Sequence, residues 1–299
     1  MEVAMINKKV ALSLITGMVL SAPTFAEELT IERIFSSPAL DGTAPKQLKI
    51  SPDGQRITFT QGKKDDYERY DLWEYHIPSK KVRLLFDADD LHTGDEVLSD
   101  EEKARRERLR EYGSGIMFYE WSNDGKTLLF PLAGDAFIYT IGDKKAKRLL
   151  NTPEFETDVK LSPNSHFISY IREQNLFVME IATGKETQIT KDGGGNIKNG
   201  MAEFVAQEEM SRMTGYWWSP DESKIAFTRV DMSPVDVITR SEIYADSIKM
   251  IEQRYPSAGT PNVEIQLAIH ELSNKKTDWV DLGKNKDIYL ARGKWLPDS

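Results

Sequence analysis

The 299-residue sequence contains no cysteine. Disulfides and thiol nucleophiles are therefore excluded, and nothing in the chain marks a redox compartment. Histidine is nearly as scarce. His76, His92, His166 and His270 are scattered, without the close spacing of zinc ligands. Neither a metal site nor a cofactor is expected from such a set. Positive charge is in deficit too, with 39 basic against 48 acidic residues and a formal charge of −9. Nucleic acid is an unsuitable partner, because a phosphate backbone needs a concentrated basic face. Long apolar runs are absent after the first 26 residues.

Those first residues have their own grammar. Lys8 and Lys9 precede "VALSLITGMVLSA", and "TFA" then sets Thr24 and Ala26 at the small positions of a cleavage site. Residues 1–26 read as a secretory signal peptide, too short in its apolar part to remain as a spanning anchor. A buried N-terminal helix is the alternative. The mature chain is expected to begin near Glu27, to carry a charge of −10, and to be exported to a bacterial periplasm without membrane attachment.

What the chain does contain is a repeat. "ISPDGQRITFT" from Ile50, "WSNDGKTLLFP" from Trp121, "LSPNSHFISYI" from Leu161 and "WSPDESKIAFT" from Trp218 share an apolar residue, a tight polar turn and a β-rich run. A fifth copy, "WLPDS", starts at Trp295. Proline sets φ near −65° in such a turn, and Asp, Asn and Gly tolerate its remaining angles. After each full phrase come two short alternating strands around a polar turn, as in "AFIYTIGDKKAKRLL". The unit has the length of a propeller blade, so an all-β propeller of four-stranded blades with short helical insertions is predicted. A β-sandwich could use similar strands but does not explain the recurring turn.

Three segments break the pattern. "LSDEEKARRERLREYG" opens with a capping box, Ser99 and Glu102, and predicts a helix. With Ala104 and Leu109 as its only apolar residues, it should lie on the surface. "KDGGGNIKNG" reads as a flexible approach to the next segment. "MSPVDVITRSEIYADSIKMIEQRYPSAGTPN" is a long excursion of the kind that often carries function.

"FVAQEEMSRMTGYWW", residues 204–218, is the candidate site. On a helix Glu208 would share the apolar face of Phe204 and Val205, with Glu209 at its border. A carboxylate there needs a partner. Arg212 offers an ordinary i, i+4 pair to Glu208. Adjacent helical residues point about 100° apart, so both acids can meet one cation only at a helix end or a distortion. Tyr216, Trp217 and Trp218 read as core packing. "DADD" at 87–90 could attract a cation but reads as a solvated turn.

"AEFVAQEEMSRMTGYWWSPDESKIAFTRVDMSPV", "RYPSAGTPN" and the "EEKARRERLR" helix resemble segments of the dipeptidyl peptidase IV family of serine peptidases. The resemblance implies an N-terminal propeller, commonly of eight blades, followed by an α/β-hydrolase domain. It implies release of N-terminal dipeptides, usually after Pro or Ala, from peptides with a free N-terminus. It also implies that Glu208 and Glu209 hold the substrate's α-amino group, and that a helix arginine contacts a substrate carbonyl. Arg106 is the choice, although Glu102 and Arg106 equally form an i, i+4 ion pair. Asp231 and the "SPV" after it match the family without a derivable role. A homodimer of the full-length enzyme is a further implication. No Gly-x-Ser-x-Gly elbow occurs, and "GSG" at 113–115 has the wrong spacing. Residues 27–299 are thus expected to form an incomplete propeller, about four blades and the start of a fifth, inactive alone. Tripeptide release stays open. The competing reading is a non-catalytic periplasmic propeller that binds a peptide or protein.

Overall fold

The computed structural model describes residues 29–36, 39–94 and 96–298, so the predicted signal peptide lies outside the described residues. The chain divides into two compact units, residues 1–41 and 42–299. The described part of the first holds one short helix, α1 (Ile31–Phe35), whose N-cap Thr30 accepts a bond from the Arg33 amide.

The second unit is built from four antiparallel sheets, each in sequence order. The first comprises β1 (Lys46–Ile50), β2 (Arg56–Gly62), β3 (Arg69–His76) and β4 (Lys81–Phe86). Two helices follow, α2 (Ala88–Leu91) and α3 (Asp100–Leu109), and β5 (Ser114–Gly115) returns to pair with β3 in parallel. The second sheet is β6 (Glu120–Trp121), β7 (Thr127–Leu132), β8 (Asp135–Thr140) and β9 (Lys147–Arg148). The third is β10 (Thr157–Leu161), β11 (Phe167–Arg172), β12 (Asn175–Glu180) and β13 (Glu186–Gln188).

In the fourth sheet β14 (Ile197–Asn199) and, after α4 (Phe204–Glu208), β15 (Tyr216–Trp218) share the first position. β16 (Lys224–Asp231) pairs with both. The long excursion is a separate hairpin of β17 (Val237–Ile243) and β18 (Ile248–Arg254). β19 (Glu264–Glu271) and β20 (Lys276–Trp279) complete the sheet. "KDGGGNIKNG" thus contributes β14 and is not merely a flexible approach: its backbone groups are taken up by residues 229–231. Among the described residues no helix is long and apolar enough to cross a membrane.

The recurring phrase is a hydrogen-bonded device. Ser51, Ser122 and Ser219 each donate to the Asp two residues on, and each accepts from the amide of the strand residue five on. Ser162 keeps the second of these bonds. The fourth turn residue always has positive φ: Gly54 at 68°, Gly125 at 70°, Ser165 at 63° and Glu222 at 62°. Glycine adopts this without strain; Glu222 does not. Its buried carboxylate accepts from the Asn164 amide (2.5 Å) and pairs with His166 Nδ1 (2.6 Å), tying the turn to the preceding sheet.

Three hydrophobic cores lie between the four sheets, one per neighbouring pair. Leu72 of the first sheet packs with Leu128, Phe130 and Tyr139 of the second. Leu129 and Ala136 pack with Ile168, Tyr170 and Phe177, and Ile171, Leu176 and Val178 with Tyr216, Ile225 and Phe227. Face-to-face sheets each buried against the next are propeller blades, as predicted. Aromatic residues also span blades: the Trp121 and Trp218 indoles donate to Thr58 and Ser169 of the preceding blade, each at 2.8 Å. Tyr216 is fully buried and bonds Ser169 O, and the half-buried Trp218 packs against the same core, as expected. By contrast, Trp217 lies outside that cluster and lines a cavity with Gly293 and Trp295.

Lys49, Glu120, Lys160 and Trp217 occupy the same place on successive first strands, two residues before each turn serine. The first three line one cavity of about 200 Å³. Burial pushes the Glu120 carboxyl up to about 7, against the Leu161 amide and the Lys160 and Lys49 ammoniums, which favour its charged form. In the unfolded chain it titrates near 4.5. Between these values the folded chain keeps a proton that the unfolded chain loses, so this residue costs stability as pH rises through that window. Glu120→Gln should raise Tm at pH 8 by about 2–4 °C for each kcal/mol relieved, with the gain vanishing by pH 4.5. Thermal melts across this range check it; a pH-independent difference would contradict it.

Candidate functional site

The segment carrying Glu208 and Glu209 is an insertion into the first strand of the fourth blade. β14 ends opposite Arg229 and β15 begins opposite Phe227, so the two halves are collinear on β16. At Thr228 between them, Gly200 N donates to Thr228 O (2.7 Å) and Thr228 N donates to Gly215 O (2.8 Å). Gly215 N closes the neck on Gly200 O at 3.1 Å. A Cβ on Gly215 would fall 2.4–2.5 Å from the Met201 backbone, so only glycine fits. Residues 201–214 leave and rejoin the strand at one point, as an Ω-loop does.

Within the loop, Glu203 is the N-cap of α4, its carboxylate accepting from Val205 N (2.6 Å) and Ala206 N (2.9 Å). Ala206 and Gln207 are buried, and Phe204 meets the Tyr255 ring edge-on at 5.0 Å. The helix stops at Glu208. Glu209 is its C-cap, at φ −102° and ψ −25°. The expectation of Glu208 on a buried apolar face is corrected: both glutamates are exposed. The five-residue helix turns Ala206 and Gln207 inward instead. Arg212 does not make the i, i+4 pair with Glu208, because the helix has ended. It is buried, lies 3.8 Å from Glu203, and donates to Thr214 O at 2.8 Å.

Helix α3 approaches from the other side. Ser99 caps it as predicted, accepting from Glu102 N at 3.2 Å. The helix lies on the surface as expected, with Glu102 its one buried residue. Glu102 accepts from Thr157, and Glu101 accepts from Gln174 at 2.9 Å, so acids rather than apolar residues dock the helix. Arg106 is consumed in this docking: it reaches Glu102 (2.9 Å), Glu96 (3.4 Å) and Gly113 O (3.3 Å). Arg105 lies over the Phe118 ring. Arg108 is the arginine that faces the glutamates. Its Nε is 3.6 Å from Glu208 Oε1, it donates to the Gln207 amide oxygen, and its guanidinium lies 5.0 Å from the Phe204 ring centre. Burial draws its pKa down, opposed by Glu208, Glu107 and Glu203. Glu209 has no ion-pair partner among the described residues.

Other candidates are absorbed by the fold. Asp87 and Asp89 of "DADD" pair with Lys63 at 2.5 and 3.3 Å, and Asp89 with Arg69 at 2.5 Å, so the acids find their cations within the chain rather than in solvent. Asp231 closes a turn on Ser233 N at 2.8 Å. The described residues hold no group of three or more potential metal ligands.

Sequence reasoning missed Glu203 and Gln207, and of the helix arginines Arg105, Arg106, Arg108 and Arg110 it chose Arg106 over Arg108. Glutamate is not a usual N-cap, and Arg108 was one of four similar arginines on a helix without an apolar stripe to set its rotation. The resulting constellation is two exposed carboxylates at a helix C-terminus, where negative charge is unfavourable, beside one half-covered arginine. Such a pair can neutralise and orient a compact cation with several donors.

The profile of the dipeptidyl peptidase IV (DPP IV) N-terminal region matches residues 121–299. Dipeptidyl aminopeptidase A of Saccharomyces cerevisiae is 31% identical over 146 residues, covering 46% of this chain and 15% of that protein. Dipeptidyl peptidase 8 of Homo sapiens is 28% identical over 242 residues, covering 68% of this chain and 27% of that one. The chain therefore spans about a quarter or less of the length of these relatives. In fold it is similar to the crystal structure of Porphyromonas gingivalis dipeptidyl peptidase 4, with a TM-score of 0.62 at 23% identity, over 84% of this chain and 35% of that one. With more than half its length matched by that profile, the chain belongs to the dipeptidyl peptidase IV N-terminal region family.

Proposed function

We propose that this propeller gates and clamps substrate for an exported, periplasmic serine peptidase that releases dipeptides from free peptide N-termini, after Pro or Ala. The observation that carries the reading is the exposed Glu208–Glu209 pair, held at the end of a short capped helix on a pinched loop. A peptide ammonium is a compact cation with three donors, which two carboxylates can fix in place. Fixing it at a set distance from the nucleophile limits how many residues reach past the cleavage point. Selection is then by position along the peptide. The nucleophile is assigned to a part of the enzyme outside these 299 residues, since the sequence has no Gly-x-Ser-x-Gly.

Arg108 takes the place of Arg106 in this scheme. Arg106 is spent on Glu102 and Glu96, whereas Arg108 stands beside Glu208 with a guanidinium suited to a carbonyl oxygen. An arriving ammonium competes with Arg108 for Glu208, freeing its donors for the first peptide carbonyl.

In the full-length gene product, Glu208→Ala or Glu209→Ala should each lower kcat/KM for free-amine Xaa-Pro substrates by about 100-fold, roughly 2.7 kcal/mol of transition-state stabilisation, with little change in Tm. Normal kcat/KM in either variant would contradict the clamp. The arginines are expected to separate by readout. Arg108→Met should raise KM about tenfold at nearly constant Tm, a loss of about 1.4 kcal/mol. Arg106→Met should lower Tm and leave KM close to normal. The reverse pattern would return the carbonyl role to Arg106.

A further inference from the structure

We infer that Glu203 and Arg212 act as a positioning pair, a buried clasp whose purpose is to hold the glutamate-bearing turn in the geometry that receives the substrate amine. The inference rests on the clamp reading and adds two residues that touch no substrate. Glu203 and Arg212 are 5% and 4% exposed, so both charges have been taken out of water. A buried ion pair seldom stabilises more than an apolar pair of the same volume would, and this one is far from ideal. The closest approach is 3.8 Å, and Arg212 Nε and Nη2 have no hydrogen-bond partner among the described residues. Stability alone is a weak reason for such an arrangement.

Its geometry supplies a better one. Glu203 stands at the head of α4 and secures the first turn through both carboxylate oxygens, at 2.6 and 2.9 Å. Arg212 stands just beyond the tail. Its backbone amide donates to Ala206 O (2.9 Å) and its guanidinium to Thr214 O (2.8 Å). Between them, at φ 52°, Ser211 bends the chain back toward the strand. The two side chains thus link the head of the helix to the segment after its tail. Glu208 and Glu209 are carried on the span between. That span ends in two like charges at a helix C-terminus, an unfavourable arrangement that Arg108 offsets only at Glu208. A five-residue helix cannot resist this unaided, since isolated helices of that length are unstable. The clasp does the holding from beneath, while the exposed face stays open.

The test uses the full-length enzyme and free-amine Xaa-Pro substrates. Glu203→Ala is expected to raise KM at least tenfold with kcat within about threefold of wild type, and to speed hydrogen exchange at the Val205 and Ala206 amides. Glu203→Asp, which retains a capping carboxylate, should keep KM within about threefold. Should Glu203→Ala fail to fold, Arg212→Met against Arg212→Lys makes the same comparison, with KM raised in the first and largely restored in the second. Wild-type KM in Glu203→Ala, while Glu208→Ala is crippled, would overturn the clasp and leave the clamp standing. Wild-type KM in Glu208→Ala would remove the clamp and with it the clasp. Equal KM in the Ala and Asp variants with parallel losses of Tm would reduce Glu203 to a purely structural residue and also overturn the inference.

Discussion

At Thr228 the second strand of the fourth blade finds its backbone partners on two glycines, Gly200 and Gly215, that are separated by the whole glutamate loop. A strand cannot be opened without leaving amide and carbonyl groups unpaired, and buried unpaired groups are costly. Here the opening is made where one residue's donor and acceptor can be served from both sides of the break. Thr228 adds its hydroxyl to Met201 O at 2.9 Å. The ladder therefore continues across the neck, and fourteen residues are released at a fixed point without weakening the blade. Everything at the site depends on this pinch: it determines where α4 starts, where Arg212 returns, and which residues α3 can meet.

The surroundings are rigid for related reasons. Each blade buries a face against its neighbour, so the three cores hold four sheets in register. Polar staples repeat the same logic at the turns, where Glu222 tolerates a left-handed backbone because its carboxylate is bonded to the preceding blade. α3 is anchored differently. Lacking an apolar stripe, it docks through Glu101, Glu102 and Arg106, which leaves Arg108 to face α4. Specific charge pairs fix a helix's rotation more sharply than a greasy face would, and here that rotation decides which arginine stands beside Glu208.

Much of this was legible in the sequence, and the limits are physical. The turn phrases declared the blades because serine, aspartate and glycine at fixed offsets form a local hydrogen-bonded unit that needs no tertiary information. The Ser99 cap of α3 was readable for the same reason. The helix reading of residues 204–218 failed at its length. Glu203 starts α4 and Glu209 ends it, so the i, i+4 arithmetic linking Glu208 to Arg212 no longer applied. Among the arginines, Arg106 and Arg108 differ only in what lies across from them, which is set by other blades. Gly200 and Gly215 were visible as glycines, but their role emerges only when Thr228 is placed between them.

The central claim is that the cation awaited by Glu208 and Glu209 is a peptide N-terminus. Calorimetric titration of this chain with an alanyl-prolyl peptide and with its N-acetylated form tests it most directly, because acetylation removes the ammonium and leaves the remaining contacts. The account predicts binding of the free amine, and at least about thirtyfold weaker binding of the acetylated peptide, corresponding to about 2 kcal/mol. Equal affinity for the two peptides would contradict it.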